Sequence, residues 1–530
     1  MTTRTLFIGM DGATFTVLDD LTAGPEPVMP FMAKLFREGA RAPLRSTPNP
    51  LTPPAWVSLM TGRNPGHHGV FDFIRTEELG DDVFFTLYDS RDCRVETIWS
   101  IASRQGQRVA ALNFPFTAPP PADLAGFMVP GFVPWRHLRR NCAPKGLYNR
   151  LKGIEGFDPK ELAWDFEQEK QALDELSDED RENWVRYHLP REMQWFQIAD
   201  YLMKEEAPEL MAVMFDGVDK LQHQAWLYID PAQQQGELSE YHVRMRKLCM
   251  DYFRQLDGFI EQLVTAAGPE VQVYLASDHG FTATDEIVRI NTFLHDKGYL
   301  GWLDAPKTAA GKRREDSMFA YLDWDKTFAY CGTPSSNGIT IRVAKEPGQS
   351  GVAPEDYESF RSRLIEDLRD FRDPASGERI ITEIHLREDA FPGEAMEQAP
   401  DLLLVLRDHG FVSIKNKTPA VEPRPSIAGT HHPDGVFIAY GPGIAPGARL
   451  DRRNIVDVGS TLLHSLGLPV PSDFEGRVPA ELYTSAHRAD NPVRIGPPTK
   501  KKSEQGDAEG MSEGDKDQIM AQLQMLGYME

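Results

Sequence analysis

TLFIGMDG (residues 5–12) is a short, nearly unbroken apolar run that stops at an acidic residue and a glycine, Asp11-Gly12. A strand covered on both faces reads as such a run, without the alternation of a half-exposed one. The pattern recurs in RVAALN (108–113), LMAVMF (210–215), VQVYLA (271–276), DLLLVL (401–406) and VFIAYG (436–441). Helical patterns lie between these runs. PFMAKLFREGA (30–40) is amphipathic and is stopped by Gly39, and from Met245 to Val264 apolar residues recur at helical spacing (Met245, Leu248, Tyr252, Leu256, Phe259, Ile260, Leu263). Strands alternating with helices imply an α/β domain with a mostly parallel central sheet.

Two segments interrupt the rhythm. Residues 140–205 are helix-rich and charged, and 281–430 hold short elements with Pro and Gly breaks; both read as insertions or a cap over the sheet edge. The expected organisation is a first core block (1–139), a helical insertion (140–205), a second core block (206–280), a cap (281–430), a closing core block (431–485) and a tail (486–530). Within the tail, 486–515 is polar and expected to be disordered. DQIMAQLQMLGY (517–528) reads as a short amphipathic helix that docks on the same domain or contacts a partner.

The chain has 530 residues, 41% hydrophobic and 26% charged, enough for one large domain with insertions. No run reaches the roughly 18–20 apolar residues of a membrane span. The N-terminus enters a strand at once, without the basic and hydrophobic regions of a signal peptide. The four cysteines form no CxxC pair, which favours free thiols and a cytoplasmic location. A net charge of −23 argues against nucleic acid as a partner, and means that a phosphate-bearing substrate needs strong local positive charge.

Ligands of open α/β sheets bind beyond the carboxyl ends of the strands. Four such positions carry oxygen or imidazole groups: Asp11; Asp216 with Asp219-Lys-Leu-Gln-His223; Asp278-His279; and Gly429-Thr-His431, just before a strand. A lone Asp there is usually a helix cap or a turn residue. The joint pattern points to metal. Asp219 and His223 lie four apart, on one face of a helix, and Asp278-His279 can address two ions if the turn splays them. Mixed Asp/His ligation suits Zn²⁺, with Mn²⁺ as a substitute. In STPNPLTPPAWVSLMTG (46–62), Thr52 precedes Pro53-Pro54, which predicts Thr52 as the N-cap of a helix. It would then lie beside exposed N–H groups that attract an anion, although a simple cap is the plainer reading. A hydroxyl held there next to a metal can ionise and attack phosphorus.

At FIGMDG (7–12), LTPPAWVSLMTGRNPGHHGV (51–70), DKLQH (219–223), SDHG (277–280), GTHHPDGVFIAYGPGI (429–444) and NIVDVGSTLLHSLGLPVPSDFEGR (454–477), the sequence resembles the alkaline phosphatase superfamily. Within it, the sequence is similar to the type I phosphodiesterase/nucleotide pyrophosphatase family, from Phe7 to about Arg477. The resemblance implies an alkaline-phosphatase-like three-layer α/β/α sandwich with a mostly parallel central sheet and inserted cap segments. It also implies two metal sites, one formed by Asp11, Thr52, Asp278 and His279 and the other by Asp219, His223 and His431. Thr52 is then the nucleophile of a phosphodiesterase acting on a small, nucleotide-like phosphoester through a phosphothreonine. Two divalent ions against three carboxylates leave the site at about +1, which favours a phosphate anion on an acidic protein.

The chain departs from the family at one point. Nucleotide pyrophosphatases commonly carry Asn three residues after the nucleophile, where this chain has Ala55; Asn113 and Asn337 are candidate substitutes in substrate binding, or else structural amides. TPPAW lacks the Cys and Arg of sulfatases. His67, His68 and His432 read as structural, and Asp216 as a turn residue or a partner of a metal-binding His. The rival readings are a phosphomonoesterase or phosphotransferase of the same superfamily, and a non-catalytic metal-containing binding protein.

Overall fold

A computed structural model describes residues 3–79, 82–133, 135–162, 178–306, 318–346 and 348–500. At its centre lies β1 (Thr5–Met10), with every residue buried. Around it run β2 (Ala40–Arg45), β3 (Val109–Leu112), β4 (Gly126–Val129), β5 (Leu210–Phe215), β6 (Gln272–Ala276) and, further along the chain, 434–440 and 448–449. The nine-stranded sheet has the order 448–449, β2, 434–440, β6, β1, β5, β3, β4, with 453–454 also on β2. The run β6-β1-β5-β3-β4 is parallel throughout. Strand 434–440 is antiparallel to both of its neighbours. All parallel strands therefore end at one edge, and Asp11, Asp216 and Ser277-Asp278 follow three of them directly.

Alternate residues of β1 serve two cores. Leu6, Ile8 and Met10 face α1 (Pro30–Glu38), α3 (Asp178–Glu205), α4 (Gly217–Ile229) and α5 (Glu240–Ala267). On the other side Phe7 packs with α2 (Thr52–Thr61), through Ala55, Trp56, Leu59 and Met60, and with α6 (Val456–Ser465). This is the three-layer sandwich. Trp195, Ile198 and Leu202 place α3 among the layers on the sheet face, so that stretch of 140–205 is not a cap over an edge.

A third core lies within 288–421. There β8 (Ala329–Cys331), β9 (Gly338–Ile341), β10 (Ile381–Leu386) and β11 (Leu402–Leu406) form an antiparallel sheet in the order β8-β9-β11-β10. DLLLVL is thus a buried strand, as its composition predicts, but of this second sheet; an apolar run reports burial and not which sheet receives it. A ribbon joins the two regions. In it β7 (Gly280–Arg289) pairs antiparallel with β13 (Val421–His432), and the short β12 (Val412–Ser413) adds in parallel. Later strands are β14 (Asp434–Tyr440), β15 (Ala448–Arg449), β16 (Arg453–Asn454), β17 (Val470–Pro471) and β18 (Ile495–Gly496), and earlier in the chain a separate antiparallel pair joins 74–79 to 82–87.

The expectation of disorder from 486 onward fails for its first stretch. β18 pairs with β17, Thr499 donates to Asp473 at 2.6 Å, and the Lys500 N–H donates to Glu96 at 3.1 Å. Backbone pairing and two carboxylates hold a segment too polar to read as structured. The rest of the tail, including the helix expected at 517–528, lies outside the described residues. All four cysteines are free and buried. Among the described residues no helix is long and apolar enough to cross a membrane.

Asp72 ties the first core block to the 330s. Its buried carboxylate accepts from Thr333 Oγ1 at 2.6 Å, from Ser335 Oγ at 3.1 Å and from the Phe73 N–H at 2.6 Å. Burial outweighs these donors and pushes the carboxyl up to about 6. The folded state therefore holds a proton that the unfolded chain, with a carboxyl near 4, has released. The expected outcome is an Asp72 contribution to stability that is present below pH 4 and lost as pH rises through about 6. Urea midpoints from pH 4 to 8 check this: the Asp72→Asn variant should lose less stability over that window than the parent protein, and parallel curves would contradict it.

Candidate active site

Strand ends and one helix bring the acidic and imidazole groups together. Asp11 leaves β1, and Gly12 turns the chain with φ +67°. A Cβ there would lie 3.0 Å from the Phe281 ring and 3.2 Å from the Asp219 backbone, so the positive φ and the crowding both favour glycine. The Gly12 N–H donates to Asp278 Oδ1 at 3.1 Å. α4 carries Asp219 and His223 four residues apart, as the spacing predicts, with His223 Nε2 3.5 Å from Asp219 Oδ1. The ribbon supplies His431, whose register partner on β7 is Phe281.

His279 is the hub. Its Nε2 lies 3.1 Å from Asp278 Oδ2, 3.6 Å from Asp11 Oδ1, 3.9 Å from Asp219 Oδ1 and 3.4 Å from Thr52 Oγ1. His431 Nε2 lies 3.2 Å from Asp219 Oδ1 and 3.0 Å from His223 Nε2. Two groups able to hold an ion share the hub, Asp11/Asp278/His279 and Asp219/His279/His431. Ligands about 2.0–2.1 Å from a tetrahedral ion lie about 3.4 Å apart, which is the spacing seen here. All seven residues expected around two ions are thus in one cluster.

Hydrogen bonds aim the imidazoles. His431 Nδ1 donates to the Pro50 carbonyl at 2.7 Å and His279 Nδ1 to the Gly280 carbonyl at 3.1 Å, which leaves both Nε2 lone pairs directed at the carboxylates. Trp56 Nε1 donates to Asp11 Oδ2 at 3.3 Å, while among the described residues Asp11 Oδ1 and Asp278 Oδ2 are buried without a donor. Burial, and then repulsion from Asp278 and Asp219, raises the Asp11 carboxyl well above its usual range. Burial likewise pushes Asp278 to about 8. Burial also acts on Asp219, but His223 and His431 outweigh it and hold that carboxyl low. Burial and the neighbouring His279 push His431 down to about 3, so its imidazole is neutral. Crowded carboxylates short of donors, beside the neutral His431 imidazole, fit divalent cations by the chemistry of the donor set.

Several expectations need correction. Leu51, with extended backbone, is the N-cap of α2, and Thr52 is the first helical residue. Pro53 and Pro54 have no N–H, and the Ala55 N–H is bonded to the Leu51 carbonyl, so the first turn offers only the Thr52 N–H to an anion. The helix end is therefore a poorer anion site than the sequence suggested. Asn113 donates both amide hydrogens, to the Met214 carbonyl at 2.9 Å and to Asp216 Oδ1 at 3.1 Å. Asn337 donates to the Gly410 carbonyl and accepts from the Val412 N–H. Both amides tie strand ends together and neither joins the cluster.

Asp216 is taken up by Arg191 at 2.9 Å and Lys220 at 3.0 Å rather than by a metal-binding His. Burial would raise its carboxyl, but these cations hold it at about 2. Glu192 Oε1 accepts from the Gly217 N–H at 2.7 Å and fixes the start of α4. No spacing rule reveals such contacts between distant segments. His67, His68 and His432, read as structural, make contacts outside the cluster. His68 pairs with Ser58 and the Val70 N–H, His432 accepts from the Asp434 N–H, and His67 faces Glu475. Of the supporting groups the sequence reading missed, Trp56 left a signal: it lies four residues after Thr52, on the same helix face.

The arrangement can grip two cations around one hydroxyl. Comparison with known proteins bears on which chemistry uses it. The chain resembles the solved structure of murine ectonucleotide pyrophosphatase/phosphodiesterase 5, with 14% identity, 88% of this chain and 95% of that chain covered, and a TM-score of 0.50. An inactive threonine-to-alanine variant of that protein in complex with AMP gives the same identity, coverage and TM-score. At such identity these likenesses establish the fold. No curated relative matches the chain. The family model described as type I phosphodiesterase/nucleotide pyrophosphatase matches residues 5–434, most of the chain. The chain belongs to the type I phosphodiesterase/nucleotide pyrophosphatase family, and so to the phosphoric ester hydrolases.

Proposed function

We propose that this protein hydrolyses a small, nucleotide-like phosphodiester at the Asp11–Thr52–Asp219–His223–Asp278–His279–His431 cluster, with Thr52 as nucleophile. The observation that carries the reading is the 3.4 Å approach of Thr52 Oγ1 to His279 Nε2, at the point where the two ligand groups meet. Asp11, Asp278 and His279 would hold one divalent ion and Asp219, His223 and His431 the other, zinc with manganese as a substitute. Such ions lower the pKa of a bound hydroxyl and offset the charge of the phosphate.

The residues of the chain then do the following. Trp56 and the Gly12 N–H hold the Asp11 and Asp278 carboxylates in place. Thr52 gives up its proton to solvent and attacks phosphorus in line. The Thr52 Oγ–P bond forms as the bond from phosphorus to the leaving ester oxygen breaks, and the departing alcohol takes up a proton. Water then displaces phosphorus from Thr52, regenerating the hydroxyl and releasing a phosphomonoester. The bound AMP of the murine relative accords with a nucleotide-like substrate. The four free cysteines accord with a cytoplasmic setting.

Two measurements test the reading. With metal-loaded protein, bis-p-nitrophenyl phosphate should be turned over faster than p-nitrophenyl phosphate. Thr52→Ala should lower turnover at least ~10³-fold while keeping bound metal; a smaller loss removes Thr52 from the role. Because Asp11 and Asp278 titrate high in the absence of ions, ion binding should displace protons, so affinity should rise with pH and fall as pH drops below about 8. Calorimetric titration of the chelator-treated protein with zinc, in two buffers of different ionisation enthalpy, reads the proton release; none at pH 7 would contradict this account of the site.

A further inference from the structure

Gln222 lies on α4 between Asp219 and His223 and is fully buried. Its side-chain Nε2 donates to the Gly12 carbonyl at 2.8 Å. The other end of the amide, Oε1, is buried without a hydrogen-bond partner among the described residues. A buried amide with one end unsatisfied is a poor source of stability. What its one bond does secure is the place of Gly12 against α4.

Gly12 is bonded at both ends, because its N–H donates to Asp278 Oδ1 at 3.1 Å. It also directly follows Asp11. The main chain of Gln222 meets a third ligand-bearing segment. A Cβ on Gly429 would lie 2.2 Å from the Gln222 carbonyl oxygen, so β13 passes directly against α4 two residues before His431. The Phe281 ring fills the space between these segments, 4.8 Å from the His223 ring and 5.3 Å from the His431 ring. Apolar packing of this kind has no direction, whereas a hydrogen bond does. Gln222 therefore touches the turn after Asp11 and the strand of His431, from the helix that carries Asp219 and His223.

We propose that Gln222 is a positioning residue that sets the distance between the two ion sites, tying Asp11 and Asp278 through Gly12 to Asp219 and His223. It acts through those ligands and not on the reacting atoms. The role deepens the two-ion function proposed above and rests on that reading. Paired ions that bracket a transferring phosphoryl group stand about 3.5–4 Å apart. A misplacement near 1 Å at a reacting centre can cost ~10²-fold in rate, so the tie between the two ligand sets bears directly on turnover.

The test loads the full-length protein with manganese and reads the ion pair by low-temperature electron paramagnetic resonance. The coupling between two Mn²⁺ ions depends steeply on their separation. Gln222→Met keeps the length of the side chain and cannot donate. It should bind two ions per chain, as the parent does, with a changed coupling. It should also lower kcat on bis-p-nitrophenyl phosphate ~10–100-fold while KM stays within about threefold. Gln222→Asn keeps an amide but falls one methylene short; it should behave alike, and it carries the test if Gln222→Met fails to fold. A merely structural role would lower Tm and leave the coupling of the bound ions as in the parent. Coupling equal to the parent's in a folded variant overturns the proposal, whatever the loss of activity, and so does loss of one ion from the variant. The coupling is read without turnover, so a parent that hydrolyses no ester leaves the test intact. A parent without a coupled ion pair overturns the two-ion reading, and this role with it.

Discussion

Three carboxylates, Asp11, Asp219 and Asp278, meet around a single imidazole nitrogen in a place closed to solvent. Like charges at that separation in a low-dielectric interior repel by several kcal/mol and favour protonation or the uptake of cations. Much of the surrounding architecture keeps the three from moving apart. Parallel strands end at one edge and deliver two of them, and α4 delivers the third. Behind α4, the buried Arg191–Asp216–Lys220 contacts and Glu192 hold its first turn where Asp219 needs it. A buried ion pair of this kind is weak evidence for stability. Here its position beside a ligand-bearing helix gives it a geometric consequence.

The charge of the whole molecule runs the other way. A chain at −23 repels a phosphate anion at long range. A phosphate anion then needs positive charge close at hand, which divalent ions in the cluster would supply. The double proline after Thr52 reinforces this, because it strips the helix start of the N–H groups that often bind phosphate.

How much of this was legible in the sequence follows from what sequence patterns encode. β1 and β5 are found where their apolar runs stand, because burial on both faces leaves a composition that few other environments produce. Six of the seven cluster residues stood out as Asp or His near strand ends and Thr52 as a helix start, but the same rule also picked out Asp216, which serves Arg191 and Lys220, and the seven-residue set came from the family resemblance. What depended on partners far along the chain was not legible. DLLLVL gives no hint that its neighbours are β9 and β10. The amides of Asn113 and Asn337 looked available until their hydrogen-bond partners were known. Residues 486–500 read as too polar to fold, because the strand that orders them lies on another segment. The N-cap was missed by one residue, and that displacement changed the chemistry of the helix end.

The antiparallel ribbon of β7 and β13 carries one last implication. One end sits in the cluster, where His431 stands across from Phe281, and the other runs into the third core, where Val421 stands across from Val288. The register between those ends is broken: Pro423 pairs with Glu286 and Ala428 with Thr284, so β13 bulges between them. Such a bulge bends the strand that carries it, which lets one strand serve two bodies, the His431 end meeting the cluster and the Val421 end staying with the third core.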